Sequence, residues 1–468
     1  MKKYSVRRAL CCVCSITLVL LLVWQPVYAS GSVRNDSSYF VRLMDFIQDQ
    51  YYDEVSDDAL LEGAVRGMFG SLDEYSSFMN RNERNEFYST ITGSFGGIGA
   101  TMQQSDEYIV VVNVYRGSPA DKAGIFQGDI IVEADGTSLV GVSVNDAADI
   151  IRGQPGTKVR LGLIRNGDTI YIDVVREIIK VNPVIYESRN GIGYIKLELF
   201  NSNADEYITE ALKYFDKIGI SRIVLDLRNN PGGDVAQAVS LAEKFVPAGP
   251  IAVLVNGSSA SASEIVAGAV QDRGAGKLVG TKTFGKAKVQ TAVPILTPAA
   301  YFKYKQLFGL DTVNVYDLYN NGVVPGQDEI YGYAQMTVGL YYTPAGKMID
   351  GIGITPDIQA DDPEYINGVD ITNVQKLSKT NVFKQGSKGN DIFNAKLILR
   401  LLGYGIDNVD INFDEELESA LKEYQSEKKI NTNGILDVKT QTLLNVDLNE
   451  LIMKYDGQYA AAVKYLKS

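Results

Sequence analysis

Four serines fall within six positions, Ser258, Ser259, Ser261 and Ser263, and two lysines, Lys286 and Lys288, follow on the same stretch. The 468 residues contain no histidine at all. A serine nucleophile in such a chain cannot hand its proton to an imidazole, so a desolvated lysine has to take it. Burial lowers a lysine pKa by disfavouring the cation, which makes the neutral amine usable as a base near neutral pH. If the lysine segment is extended, Lys286, Lys288 and Gln290 share one face, and Gln290 can hydrogen-bond a neutral amine and hold its aim. The apolar residues Ile265, Val266, Ala269 and Val270 recur at helical spacing after Glu264, which sets the serines at a helix N-terminus. There the helix dipole stabilises a developing negative charge. A serine in that position also serves as a plain N-cap; the missing imidazole is what turns the reading towards catalysis.

A second element must bring an oxyanion site to the serine. The run Ile223-Val224-Leu225-Asp226-Leu227-Arg228-Asn229-Asn230-Pro231-Gly232-Gly233 reads as a buried strand ending in a glycine turn that opens a helix after Asp234. Strand, glycine turn and helix make a nest of backbone N–H groups. No G-K-[ST] follows, so this is not a phosphate-binding P-loop.

Ser259-Ala260-Ser261-Ala262-Ser263-Glu264-Ile265, with Thr283-Phe284-Gly285-Lys286-Ala287-Lys288-Val289-Gln290 some twenty residues on, resembles the active-site region of the carboxyl-terminal processing, or tail-specific, serine proteases. The resemblance implies a Ser-Lys dyad with Ser261 as nucleophile, Lys286 as general base and Gln290 orienting the lysine. It also implies that Gly232 or Gly233 supplies an oxyanion-hole N–H, with Ala262 as second donor. The implied fold is mixed α/β: a ClpP/crotonase-like protease core with an inserted PDZ domain, N-terminal helices and a small C-terminal three-helix domain. Ala287 departs from the family pattern, which has glycine there; an alanine is costly wherever φ must be positive or backbones approach closely.

The remaining chain divides around this core. Basic residues Lys2, Lys3, Arg7 and Arg8 precede an apolar run from Ala9 to Trp24, with Val27-Tyr28-Ala29 at a cleavable position, so 1–29 reads as a signal peptide or membrane anchor. All three cysteines lie inside it. The exported part therefore has neither thiol nor imidazole, which excludes cysteine proteases, Cys/His zinc sites and HExxH metalloproteases. Net charge is −12, and removing those four cations leaves about −16, a poor balance for binding nucleic acid. Residues 30–90 are helical in pattern, and Ser71 to Ser76 resembles the family's L-D-P-Y-S turn with Glu74 at the proline position.

Residues 91–180 carry Phe95-Gly96-Gly97-Ile98-Gly99, a strand from Tyr108 to Val114, Gly117-Ser118-Pro119-Ala120 and Gly128-Asp129-Ile130-Ile131. This order resembles a bacterial protease PDZ domain. Its glycine loop is expected to aim the N–H groups of Gly97, Ile98 and Gly99 at a peptide's terminal carboxylate while the peptide adds as a strand. The protease core spans 181–360, with a tyrosine-rich insertion at 297–333, followed by a linker at 361–382. Residues 383–446 resemble the three-helix peptidoglycan-binding module of wall-associated hydrolases through Phe413, Ala420, Leu421, Tyr424 and Gln425, and 447–468 reads as a tail.

The expectation is thus an exported serine endopeptidase, secreted, wall-associated or membrane-anchored, that captures polypeptide C-termini and needs no metal or organic cofactor. Expected partners are proteins or peptides with accessible C-termini and peptidoglycan, not nucleic acid; a membrane tether and a homodimer stay open. The main rival is a non-catalytic scaffold that binds peptide or wall. A wall hydrolase is a second, but no zinc ligands and no carboxylate pair stand out for it.

Overall fold

The computed structural model describes residues 38–115, 117–165, 167–246 and 251–468. Residues 1–29, expected to be a signal peptide or membrane anchor, and the three cysteines in them lie outside the described residues. The chain divides into two compact units, Met1–Phe78 and Met79–Ser468. The first holds the helices Ser38–Gln50 and Asp57–Gly70. Ser56 starts the second of them, its Oγ accepting the Ala59 N–H at 3.2 Å, and Arg66 pairs with Glu62 at 2.6 Å one turn away.

In the second unit, the central element is a six-stranded sheet in the order Val184–Arg189, Ile192–Leu197, Ile223–Asp226, Ile251–Val255, Gly276–Gly280, Ile358–Gln359. The first pair is antiparallel and every later pair parallel. Parallel neighbours need crossovers; the helices Ala204–Lys217, Val235–Phe245 and Ala262–Asp272 supply the first three, and the long segment between Gly280 and Ile358 makes the fourth. The strands are apolar on both faces, as a doubly covered sheet requires. Leu225, Val253 and Val255 turn towards the crossover helices and pack with Ile208, Leu241 and Val266. Val224, Ala252 and Leu254 point the other way, into a cluster with Tyr459, Ala462, Val463 and Leu466.

That second cover comes from the C-terminus. The helices Asn390–Leu402, Glu415–Glu427 and Val438–Tyr455 form the small helical region. Phe413, Ala420, Leu421, Tyr424 and Gln425 are all buried in it. The 447–468 stretch, which the sequence suggests is a tail, contains the end of one helix and the whole of another, Gly457–Lys467, which lies on the six-stranded sheet. Its apolar residues fall at helical spacing, but the strands they cover are some two hundred residues earlier, which no local pattern could announce.

The PDZ sheet runs Ala100–Ser105, Tyr108–Val114, Ile130–Ala134, Lys158–Arg165, Asp168–Val175, with the helix Val144–Ile151 beside it. Its strand Tyr108–Val114 also splits by parity: Ile109 and Val111 enter the PDZ core, whereas Val110 and Val112 pack on Ile411 and Phe393 of the C-terminal region. A long hairpin of Lys288–Leu296 with Ile330–Leu340 carries the tyrosine-rich insertion. Helices Pro298–Phe308 and Val315–Asn320 of the insertion bury Ala300, Tyr304, Val315 and Leu318 in a core of their own with Leu296 and Tyr333.

Candidate active site

The strands Ile223–Asp226 and Ile251–Val255 both end at one edge of the sheet, where parallel α/β folds bind their ligands. Ser261 caps the helix Ala262–Asp272, as the spacing of Ile265, Val266 and Ala269 predicts. The four serines then separate by environment. Ser259 is fully buried, accepting the Asn256 N–H at 3.0 Å and donating to the Leu227 carbonyl at 2.7 Å. Ser263 is buried and donates to the Asn230 carbonyl at 3.0 Å. Ser258 is exposed outside the cavity. Ser261 lines a cavity of about 610 Å³ together with Gly232, Gly233, Lys286, Lys288 and Gln290. Its backbone is unusual for a non-glycine residue, φ 54° and ψ −113°, a conformation that costs on the order of 1–3 kcal/mol and persists only when its surroundings dictate it.

Those surroundings centre on Glu264, which is 1 % exposed. Its Oε2 accepts the Ser261 N–H at 3.0 Å and the Lys286 N–H at 2.9 Å. Its Oε1 accepts the Thr283 hydroxyl at 2.6 Å and the Gly285 N–H at 2.8 Å. Burial pushes the Glu264 carboxyl above its ordinary range, and these four donors pull in the opposite direction. On the other side Tyr341 donates its hydroxyl to the Ser261 carbonyl at 3.0 Å and to the Lys286 carbonyl; burial pushes that phenol up. Neither residue is among those the sequence singles out for the chemistry. The signal for Glu264 was present, since Ser261-x-x-Glu264 has the spacing of a capping box; Tyr341 lies 80 positions from Ser261 and had none.

Lys286 differs from expectation in its element. The strand begins at Lys288, and a bulge follows between Val289 and Gln290, so Lys286 sits in a loop. The backbone N–H groups of Gly285, Lys286 and Ala287 go to the carboxylates of Glu264 and Asp350 rather than to a neighbouring strand. Gly285 has φ 93°, and a Cβ there would meet the Gly353 nitrogen at 2.7 Å, so this position needs its glycine. Ala287 is buried in the core and is not among the residues with positive φ, so the methyl group fits where the family pattern has glycine. Lys286, Lys288 and Gln290 still line one cavity. Gln290 donates Nε2 to the Thr337 hydroxyl at 3.2 Å on the paired strand.

At the glycine turn, Gly232 and Gly233 have φ 106° and 136°. A Cβ on Gly232 would lie 2.8 Å from the Ser261 Cβ and 2.9 Å from the Ala262 nitrogen, so the turn presses directly on the serine. The Gly232 N–H is already donated to Asn230 Oδ1 at 2.9 Å, while Asn230 Nδ2 anchors to the Leu197 carbonyl at 2.7 Å. Among the described residues no acceptor meets the N–H of Gly233 or Ala262. The far wall of the cavity is aromatic, with Phe87, Tyr88 and Tyr316; Tyr316 belongs to the insertion, which thus reaches the site.

In the PDZ domain Gly97 ends a short strand paired with Glu177, and Ile98 and Gly99 follow it. The carbonyls of Ile98 and Gly99 accept from Ala120 and Tyr115 at 2.8 and 3.0 Å, and no acceptor meets their N–H groups among the described residues. The strand Ala100–Ser105 that continues from them is the edge of its sheet.

Comparison with known proteins agrees with this architecture. Residues 191–251 and 244–360 match peptidase family S41, 110–165 a PDZ domain, 29–83 the N-terminal domain of the activating protease CtpB, and 388–444 a putative peptidoglycan binding domain. The carboxy-terminal processing protease CtpA of Bacillus subtilis is 32% identical over 450 residues, 90% of this chain and 88% of that one. The chain belongs to peptidase family S41. A probable CtpA-like serine protease of Staphylococcus epidermidis is 33% identical over 435 residues, 87% and 81% of the two chains. Among solved structures, the photosystem II D1 C-terminal processing protease matches at 27% identity and a TM-score of 0.35, over 74% of this chain and 92% of that one. As an S41 peptidase, this protein is a serine-type C-terminal processing protease that carries a PDZ domain.

Proposed function

We propose that this S41 peptidase cleaves polypeptides with a Ser261-Lys286 dyad. The supporting observation is convergence: Ser261, Lys286, Gln290 and the glycine turn line one cavity, while Ser259 and Ser263 are committed to backbone carbonyls elsewhere. Ser261 Oγ attacks the scissile carbonyl carbon as its proton passes to the neutral Lys286 amine. The carbonyl electron pair moves to oxygen and is met by the N–H groups of Gly233 and Ala262. Gly232 contributes its close approach rather than its committed N–H. Collapse of the intermediate breaks the C–N bond, and the lysine ammonium returns the proton to the leaving amine. Water, deprotonated by the same amine, then hydrolyses the acyl-enzyme and restores Ser261. Gln290 holds the lysine. Phe87, Tyr88 and Tyr316 give the substrate an apolar wall.

Substrate capture falls to the PDZ domain. The C-terminal carboxylate is received by the N–H groups of Gly97, Ile98 and Gly99, and the peptide pairs with the open edge of Ala100–Ser105 beside the helix Val144–Ile151. Export and a site of action in the cell envelope are supported by the leader-like N-terminus and by the 388–444 match to a putative peptidoglycan binding domain.

The test compares wild type, Ser261→Ala and Lys286→Arg on an unfolded protein with an apolar C-terminus. Activity of the wild type is expected to rise along an alkaline limb as Lys286 loses its proton, and both variants are expected to be inactive, because arginine stays protonated. Cleavage by Ser261→Ala overturns the dyad; cleavage by Lys286→Arg assigns the base to another group. Amidating the substrate's C-terminus is expected to raise KM if the PDZ loop reads a carboxylate.

A further inference from the structure

A buried carboxylate beside the cavity and a half-buried phenol lining it take no part in the chemistry set out above, yet each contacts both members of the dyad. The Glu264 carboxylate accepts the backbone N–H of Ser261 and of Lys286 on a single oxygen, at 3.0 and 2.9 Å. The Tyr341 hydroxyl faces the carbonyls of the same two residues. We propose that Glu264 and Tyr341 are positioning residues that clamp the Ser261 and Lys286 backbones, one from the N–H side and one from the carbonyl side, so that nucleophile and base move as one unit.

Three observations carry this. First, an ionised carboxylate has about four acceptor sites, and Glu264 fills them with Ser261, Lys286, Gly285 and Thr283. A group so saturated has nothing left to offer a substrate or a passing proton; what remains for it is placement. Second, the nucleophile's φ of 54° and ψ of −113° is a conformation that must be imposed, and the N–H and C=O of Ser261 are the two handles by which it is held. Third, the lysine loop is not a strand, so its position depends on these side-chain acceptors. Thr283 extends the brace by accepting the Ile354 N–H at 2.7 Å, and Tyr341 is itself tied in by its N–H to the Ala287 carbonyl at 2.9 Å. The titratable groups around Glu264 are Tyr341, which senses its charge, and Asp350, which holds the Ala287 N–H.

The inference rests on the Ser261-Lys286 reading, and its test separates the two. Glu264→Gln keeps the shape but turns an NH2 towards N–H donors. Tyr341→Phe removes a single hydroxyl and keeps the ring that lines the cavity. Steady-state peptidase kinetics and thermal unfolding are measured for both, with Ser261→Ala and Lys286→Ala as references. The expected result is a kcat lower by on the order of 100-fold for Glu264→Gln and about 10-fold for Tyr341→Phe, with KM within about twofold, because small misplacements of reacting groups act on kcat. Tyr341→Phe also decides the matter if Glu264→Gln does not fold, since its melting temperature should stay close to wild type. A kcat within about threefold of wild type in Tyr341→Phe, or in folded Glu264→Gln, overturns the clamp while inactive Ser261→Ala and Lys286→Ala leave the dyad standing. A change confined to KM overturns it too, by assigning the residue to substrate binding. Activity retained in Ser261→Ala removes the dyad and the clamp together.

Discussion

Ala287 shows how one side chain can depart from a family pattern without loss. Its φ is not positive, its methyl group packs with the crossover-helix core that includes Val266, Ile349 and Ile354, and it is 1 % exposed. Changing it to the family's glycine removes a buried methyl and adds backbone freedom in the unfolded chain. Ala287→Gly is therefore expected to lower stability by about 1 kcal/mol and to leave kcat/KM within about threefold of wild type. Thermal unfolding alongside peptide hydrolysis checks both halves. A rise in activity would mean that the lysine loop is strained by the alanine. At the same scale, four serines stand within six positions and differ by environment: Ser259 and Ser263 spend their hydroxyls on carbonyls of the Leu227 to Asn230 loop, Ser258 is exposed away from the cavity, and Ser261 lines it.

Among elements, the insertion between the two hairpin strands is tied down by one carboxylate. Glu329 accepts Lys303 Nζ at 2.5 Å, the Tyr304 hydroxyl at 2.6 Å and the Gly326 N–H at 2.8 Å. These bonds, with the lysine charge, bring its pKa down from 4.5 to about 2. A depressed carboxyl contributes stability that is complete above its ordinary pKa of 4.5 and is lost as pH falls towards 2. The site is near the surface, so solvent screening leaves on the order of 1 kcal/mol. Hydrogen exchange of the helix Pro298–Phe308 is expected to show Glu329→Gln opening about fivefold more readily than wild type at pH 6, with the two converging as pH approaches 2. An equal difference at both extremes would assign the effect to packing rather than charge.

How far elements could be read from sequence depended on where their hydrogen bonds go. The strand before the glycine turn and the helix after Ser261 are specified by local periodicity, and both stand where that periodicity puts them. The lysine segment has strand-like alternation, yet its N–H groups are claimed by Glu264 and Asp350, distant side chains whose identity as acceptors no window of residues contains. The same holds for Tyr316 in the cavity wall and Tyr341 at the Ser261 and Lys286 carbonyls: their types were visible and their destinations were not.

At the scale of the whole molecule, the C-terminal helix is part of the protease rather than an appendage. Arg228, in the strand-to-turn segment that leads to Gly232, is 3 % exposed and bonds Asp226 at 2.6 Å on one side. On the other side it meets Asp456 in two parallel bonds of 2.9 Å. Tyr194 adds its hydroxyl to Asp226 at 2.7 Å, and the arginine beside it holds the Asp226 carboxyl below its ordinary range despite burial. Asp456 also opens the last helix by accepting the Tyr459 N–H at 2.9 Å. Asp456→Ala leaves Asp226 to balance the Arg228 charge but takes the carboxylate acceptor from two buried guanidinium N–H groups and removes a helix cap at once. Leaving buried donors unpaired costs about 1–3 kcal/mol and losing the cap about 1 kcal/mol, so this variant is expected to melt several degrees below wild type. Asp456→Asn, which keeps one acceptor and the cap, should lose less. Because the network supports the strand rather than the reacting atoms, peptidase activity per folded molecule is expected to survive in both variants at a temperature below their transitions. A melting temperature unchanged in Asp456→Ala would show that the C-terminal helix is not bound to the sheet through this pair.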